Sequence, residues 1–365
     1  MKLALAFVGV GLLAGVASAQ TSGRLVQVKG QVWIQPPGAS ESAAKADVAL
    51  APGTRVRTGN DGEAAVKFDD GSQLKVIANS SLELSGVKRQ KAKKNVVLLF
   101  FGRVWNKVTR ATGSEATYEV TTPNAVCGVR GTEFETAVGD DGSVRVRVSE
   151  GAVGVDGDAG GELVDAGEEV DADESGVDEP DDAEEKANWE AWEAERRERL
   201  RTQSRSIVDK VKGKVLDRKE RIEALRARQK EVESKRKQAE ARLNAGDTAA
   251  VAEIRKYNQE LADLADTIAA LGDSAETQLE IVDHFADLAD DPRFKGIDRK
   301  YLEAEAKSLR RVKATLDKLV AEGTDISIEA MEKMLDDMSK GKPTLKDKKG
   351  SAAEDLFDGG KDPDF

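Results

Sequence analysis

The chain has 365 residues, with 56 Lys or Arg against 68 Asp or Glu and a formal net charge of −12. That balance argues against general nucleic-acid binding, and the length leaves room for two domains or more. The one cysteine, Cys127, excludes an internal disulfide, so burial alone must hold the fold together.

Residues 1–19 carry Lys2, an apolar run and then small residues, with Ala17 and Ala19 at the −3 and −1 positions before Gln20. This pattern predicts a secretory signal peptide cleaved between Ala19 and Gln20, and a periplasmic or secreted mature protein. No cysteine follows the apolar run, which argues against lipid attachment there. No later segment approaches the length of a membrane span.

The next part, 20–172, is rich in Val, Gly and Thr and predicts strands. Residues 24–35 alternate apolar and polar positions around Gly30. Residues 62–84 read as two strands joined by the turn Asp69-Asp70-Gly71-Ser72. Residues 96–108 read as a buried strand pair with Gly102 at its centre, and 136–155 as a hairpin turning at Asp140-Asp141-Gly142. Gly30, Gly102 and Gly151 each stand two residues before a valine, which predicts bulges or sharp bends between short strands. The expected fold is an all-β domain, a small sandwich or solenoid of short strands.

Within it lies the segment TTPNAVCGVRGTEFETAV, residues 121–138. Pro123 biases Thr122 to an extended shape. Gly128 and Gly131 permit backbone angles or close approaches that a Cβ forbids. Arg130 between them cannot lose its charge. It either clamps a crowded turn against a carboxylate such as Glu133 or Glu135, or meets an anionic ligand or partner. A second candidate is the basic run Lys88, Arg89, Lys91, Lys93 and Lys94. It is either a solvated loop that guards a sheet edge or an attractor for an anionic envelope polymer or lipid headgroup.

The segment Thr122-Pro123, then Gly128-Val129-Arg130-Gly131-Thr132 and Phe134, resembles the hallmark of the FecR domain family. Residues 50–84 resemble the family's upstream block, and the strands around 144–155 and 163–173 its closing part, so the resemblance spans about 24–172. It implies an all-β module of the periplasm or cell envelope. It also implies, through the family's regulators of iron-citrate uptake, a relay from an outer-membrane transporter to a sigma factor. Those regulators carry an anti-sigma segment and a membrane span before the domain. Here a signal peptide stands at that place, so the resemblance is closer to exported members without them.

Residues 156–185 hold fifteen Asp or Glu and no Lys or Arg. After 172 they predict an acidic, solvated linker over 173–182. Asp156, Asp158, Gly160 and Glu162 alternate loosely like a calcium loop but lack its full spacing. From 183 the composition turns to Ala, Glu, Lys, Arg and Leu, which predicts helices. Residues 183–243 read as one helix with Val211, Val215, Ile222, Leu225, Val232, Ala239 and Leu243 on a heptad seam that Arg218, Gln229 and Arg236 weaken. Gly246 and Asp247 predict a stop and a start. Further helices are expected over 248–271, with a break at Gly272-Asp-Ser, then 275–290, 298–321 and 327–340. They form an α-helical bundle or coiled coil over 183–340, followed by a disordered tail at 341–365.

Residues 196–242 hold eighteen Lys or Arg against eight Asp or Glu. This cationic helix either lies along an acidic partner or docks on the chain's own acidic run. Trp189 and Trp192 either touch a membrane interface or cover the β domain or the end of the bundle. His284 beside Asp283 reads as structural. The sequence offers no nucleophile–base pair, no metal-ligand cluster and no cofactor motif, so no enzyme is expected. The expected function is an envelope binding or scaffold protein. Its β domain recognises an envelope protein or anionic polymer, and its helices serve self-association or partner docking. The alternative is a cell-surface signalling component related to the FecR regulators.

Overall fold

A computed structural model describes residues 23–86, 94–110, 118–184, 187–289, 291, 294 and 297–325. The signal peptide, the basic residues Lys88, Arg89, Lys91 and Lys93, the helix expected at 327–340 and the tail lie outside the described residues. Two sheets face each other over one core. Sheet A runs, in spatial order, β4 (Val48–Leu50), β1 (Gly23–Lys29), β6 (Glu63–Lys67), β7 (Gln73–Val76), the second half of β9 (Asn95–Lys107), β12 (Glu133–Val138), β13 (Val144–Glu150) and β16 (Glu168–Asp173). The two-residue strands β17 (Gly176–Val177) and β18 (Asp181–Asp182) close its end. Sheet B runs β3 (Ser42–Ala43), β2 (Val32–Gln35), β5 (Arg55–Thr58), β8 (Ser81–Leu84), the first half of β9, β10 (Tyr118–Thr121), β11 (Val126–Val129), β14 (Ala152–Gly157) and β15 (Gly160–Asp165).

The three echoed glycines are where the chain passes from one sheet to the other. Gly30 lies between β1 and β2, Gly102 within β9 and Gly151 between β13 and β14, with φ of 63°, 91° and 82°. Positive φ carries little cost for glycine alone. The pair of strands expected over 96–108 is therefore one strand of 13 residues, bent at Gly102 and shared by both sheets.

Alternation explains most of the burial. Leu25, Val66, Leu74 and Val104 of sheet A meet Val56, Leu82, Val97 and Leu99 of sheet B in one cluster. The first half of β9 does not alternate, because Val96, Leu98 and Phe100 are buried on its other face as well. That second face lies under a helix, and a strand covered on both sides reads as a continuous apolar run.

Three helices follow: α1 (Trp189–Asn244), α2 (Ala250–Leu288) and α3 (Arg299–Thr324). Ion pairs Arg242–Glu253 and Arg228–Glu260 set α2 antiparallel to α1. Lys212–Glu305 and Arg226–Glu322 set α3 parallel to it. The seam of α1 is spent inside the chain. Val211, Val215, Ile222, Val232, Ala239 and Leu243 are all buried. Two of its polar members bond across the bundle: Arg218 Nε donates to Ser274 Oγ at 3.1 Å, and Gln229 Nε2 to Gly323 O at 2.9 Å.

The break expected at Gly272 does not occur, since α2 continues through it. A Cβ there would stand 2.7 Å from Val320 Cγ2, and one at Gly323 would stand 2.9 Å from Ile268 Cγ2. Both glycines let α2 and α3 approach closely, so Gly272 marks packing and not a turn. Asp273 and Ser274, also read as breakers, accept hydrogen bonds from Ser85 Oγ and Arg218. The stretch 173–182 differs from an unstructured linker, because β17 and β18 pair with β16. Leu200, Ile207, Val208, Val211, Ile281 and Phe285 belong to the same apolar cluster as the strands. Sheets and helices thus share one core. Among the described residues no helix is long and apolar enough to cross a membrane.

Candidate functional site

The segment 121–138 splits into two ends with different surroundings. At the first end Thr122 closes a tight turn: its N–H and Oγ1 donate to Ala125 O at 2.9 and 2.7 Å, and Ala125 N–H donates back to Thr122 Oγ1 at 3.0 Å. Such a side-chain turn fixes the carbonyl of Pro123 without strand pairing. That carbonyl accepts from Gln278 Nε2 of α2 at 2.9 Å. Next to it Asn124 Oδ1 accepts from Lys214 Nζ of α1 at 3.1 Å, while Asn124 Nδ2 donates to Gly142 O at 2.8 Å. Thr122 and Pro123 are thus a buried seat for the helices.

At the other end Gly128 and Val129 lie in β11, and Val129 is buried. Gly131 has φ 71°, and a Cβ on it would stand 2.8 Å from Arg110 Cβ, so glycine is required there. Thr132 Oγ1 donates to Ala152 O at 3.0 Å, and Phe134 is fully buried. Arg130 is exposed. The two carboxylates expected for a clamp pair with other cations: Glu133 with Lys107 at 2.9 Å and Glu135 with Arg103 at 3.9 Å. With Arg110, Gly128, Gly131, Gly151, Gly154, Leu163 and Asp165, Arg130 borders an open cleft of about 450 Å³. Arg130→Ala is expected to shift the urea midpoint by less than ~0.5 kcal/mol of stability, as exposed substitutions do. A large loss in equilibrium unfolding would show instead that Arg130 clamps the turn.

Of the basic run only Lys94 is described, and it pairs with Glu119 at 3.7 Å. Cys127 is wholly buried, and burial pushes its thiol up to about 12, too high for a reactive thiolate at neutral pH. His284 stacks on Phe101 with ring centroids 3.9 Å apart and meets Asp140 Oδ1 at 3.2 Å. Trp189 and Trp192 lie on the β domain, under Arg103 and Arg145 at 4.7 and 5.6 Å. Among the described residues no group of three or more His, Cys, Asp or Glu could hold a metal ion.

Sequence reasoning missed the main electrostatic feature, which is where the sheets meet the helices. Arg199 of α1 donates to Asp141 Oδ2 at 2.9 Å, to Asp173 Oδ2 at 3.1 Å and to Glu174 Oε1 at 2.6 Å. Lys214 and Arg218 hold Asp158 at 3.1 and 2.8 Å. The cationic helix has therefore docked on part of the chain's own acidic run, the second of the two placements open to it. It also occupies Asp158 of the loose calcium pattern. Burial raises Asp141 above the usual carboxylate range despite Arg199. At Glu174 and Asp158 burial also pushes upward, but the facing cations win and both are lowered.

A second cluster lines a cavity of about 610 Å³ between sheet B, α2 and α3. Arg55 of β5 reaches Glu83 at 3.0 Å, Glu276 at 2.7 Å and Glu280 at 2.8 Å, and Lys313 of α3 also bonds Glu276. Leu98, Leu279, Leu316 and Val320 form the apolar walls. Burial pushes Glu276 up to about 7, more than Lys313 pulls it down. A carboxyl raised on folding adds stability that is complete below its unfolded value of 4.5 and is lost as pH rises through about 7. Urea midpoints are therefore expected to fall from pH 5 to pH 7.5. The fall should be smaller in Glu276→Gln, and an equal slope in both proteins would refute the assignment.

Residues 54–154, from the entry to β5 through most of β14, match the family model "FecR protein". Two solved structures of a candidate anti-sigma factor from Parabacteroides distasonis ATCC 8503 are similar. One is 19% identical over 38% of this chain and 63% of that chain, with a TM-score of 0.32. The other is 20% identical over 32% and 53%, with a TM-score of 0.29. The chain spans less than two thirds of the length of either. No curated protein matches it.

Proposed function

From a chain that carries a FecR domain over 54–154, we propose a FecR-type signalling component of the cell envelope. The β domain receives a partner protein, and the docked helices change their hold on it in response. The observation that carries this reading is the occupation of the hallmark turn: Pro123 and Asn124 are held by Gln278 and Lys214 of the chain's own helices. A binding event that shifts this turn must alter the helices, since both share one core. The partner expected is an outer-membrane transporter or an inner-membrane relay, and the protein is exported to meet it. The alternative use of the helices for self-assembly has less support, because their apolar seam is buried within the chain.

The test is cross-linking of the full-length protein in intact cells, with limited proteolysis of the captured complex. Capture of a transporter or membrane regulator, with α1 and α2 cut faster than in the free protein, supports the relay. Capture of copies of itself alone, or helices equally resistant with and without the partner, refutes it.

A further inference from the structure

The three-helix packing stops before two of the helices do. Arg205 and Lys212 of α1 bond Asp298 and Glu305 of α3, partners 93 residues apart in each case. Gln229 bonds Gly323, 94 residues on. α3 ends next to that contact, at Thr324. α1 continues to Asn244, and α2 returns from Ala250. Residues 230–244 and 250–264 thus lie side by side over about 22 Å, with no third helix among the described residues.

Burial shows what this overhang lacks. Beside α3 the helices belong to the main core. The overhang holds only two separate clusters: Ala239, Leu243, Ala250 and Ile254, and then Val232, Leu261 and Ala265. Val251, Tyr257 and Leu264 pack against these clusters and are half-buried. Two helices alone leave such a stripe open on one side, and a third closes it. The open side continues the one that α3 covers. Ile268 packs on Gly323. Leu264 stands four residues before Ile268 and Tyr257 seven before Leu264, which puts all three on one face of α2.

The chain after Asp325 has the length and pattern of the missing helix. Met331, Met334, Leu335 and Met338 stand at the i, i+3, i+4, i+7 spacing of one helix face. Apart from Met1 these are all the methionines of the chain, and methionine fills irregular apolar gaps well. As a helix, residues 327–340 would span about 21 Å, and Gly341 would fall where the overhang ends. The register agrees. An offset of 94 residues from α1 sets Met338 beside Asn244. In α2 and α3 facing residues run in opposite directions, with Val320 on Gly272 and Gly323 on Ile268. Eleven residues further on, Met334 meets Tyr257. Charge does not oppose the contact. The overhang carries seven Lys or Arg against six Asp or Glu, and 327–340 carries two against four.

We infer that residues 327–340 form a helix seated in the groove between α1 and α2 beyond α3, with Met334 on Tyr257. The seat holds the chain's own segment and does not depend on the signalling reading.

The test is cross-linking in the full-length protein with a short bis-maleimide, since Cys127 is buried and does not compete. Tyr257→Cys is combined with Met334→Cys or, as control, with Asp336→Cys on the opposite side of the helix. The Met334 pair should join within one chain at least tenfold faster than the Asp336 pair. In a separate variant, Met331→Asp, Met334→Asp and Leu335→Asp together should speed hydrogen exchange at 250–264 at least tenfold and leave the strands unchanged. Equal cross-linking rates mean a loose tether and overturn the proposal, as does unchanged exchange in the triple variant. Cross-links that join two chains put a second copy's segment in the groove and also overturn it.

Discussion

Arg199→Ala is expected to cost about 3–5 kcal/mol of stability, the usual range for removing one partner of a buried ion pair. The side chain of Asp141 is wholly buried and that of Glu174 is 2% exposed, so neither regains water when the guanidinium goes. Lys210 stays near Glu174 at 3.4 Å, but among the described residues no other cation bonds Asp141. The loss falls where α1 meets the turn of β12 and β13, so the helices should loosen before the sheets do. Urea unfolding followed by limited proteolysis checks both parts. Neutralising the stranded carboxylates, with Asp141→Asn and Glu174→Gln beside Arg199→Met, should recover much of the loss. A single substitution that leaves the urea midpoint within 1 kcal/mol would show that the network is not anchoring α1.

Gly102→Ala is the second large effect. At φ 91° a side chain costs about 1–2 kcal/mol from backbone strain. The added Cβ would stand 2.3 Å from Ser80 Oγ and 2.5 Å from Ser80 Cα, which forces β8 away and adds about 1–3 kcal/mol. Ser80 Oγ also accepts from Arg103 N–H at 2.9 Å, so the shift breaks a bond at the corner itself. The expected sum is about 2–5 kcal/mol, read as a lower urea midpoint or as insoluble protein. Gly154→Ala, in open strand space, is the control and should fold normally. Equal stability of the two variants would mean that β9 bends without needing its glycine.

The sequence made the β domain legible because its strands alternate and its turns carry Asp-Gly pairs. The echo of Gly30, Gly102 and Gly151 pointed to the corners for a physical reason: a left-handed residue in a strand has to be glycine. Gly272 misled for the same reason in reverse. A glycine in a helix signals a break or a close approach equally well, and only Val320 across the gap decides. Thr122 to Phe134 were found, yet the division of labour among them was not. Burial of Pro123 and exposure of Arg130 depend on where α1 and α2 lie, which no local pattern encodes. The network of Arg199 joins residues far apart in the chain. Its sole trace was the opposition of an acidic run and a basic helix, which left an outside partner equally open.

The apolar face of β9 has a consequence in time. Val96, Leu98 and Phe100 are covered from outside by a helix near the other end of the chain, and Arg55 beside them meets Glu276 across a separation of 221 residues. Contacts of such span form late and slow the folding of a chain. During synthesis the sheets exist for some interval with that stripe uncovered, and a stripe of this kind attracts chaperones or other unfinished chains. A protein shortened after β18 would keep that condition permanently. The helices thus act on their own sheet as an internal chaperone whose binding never ends.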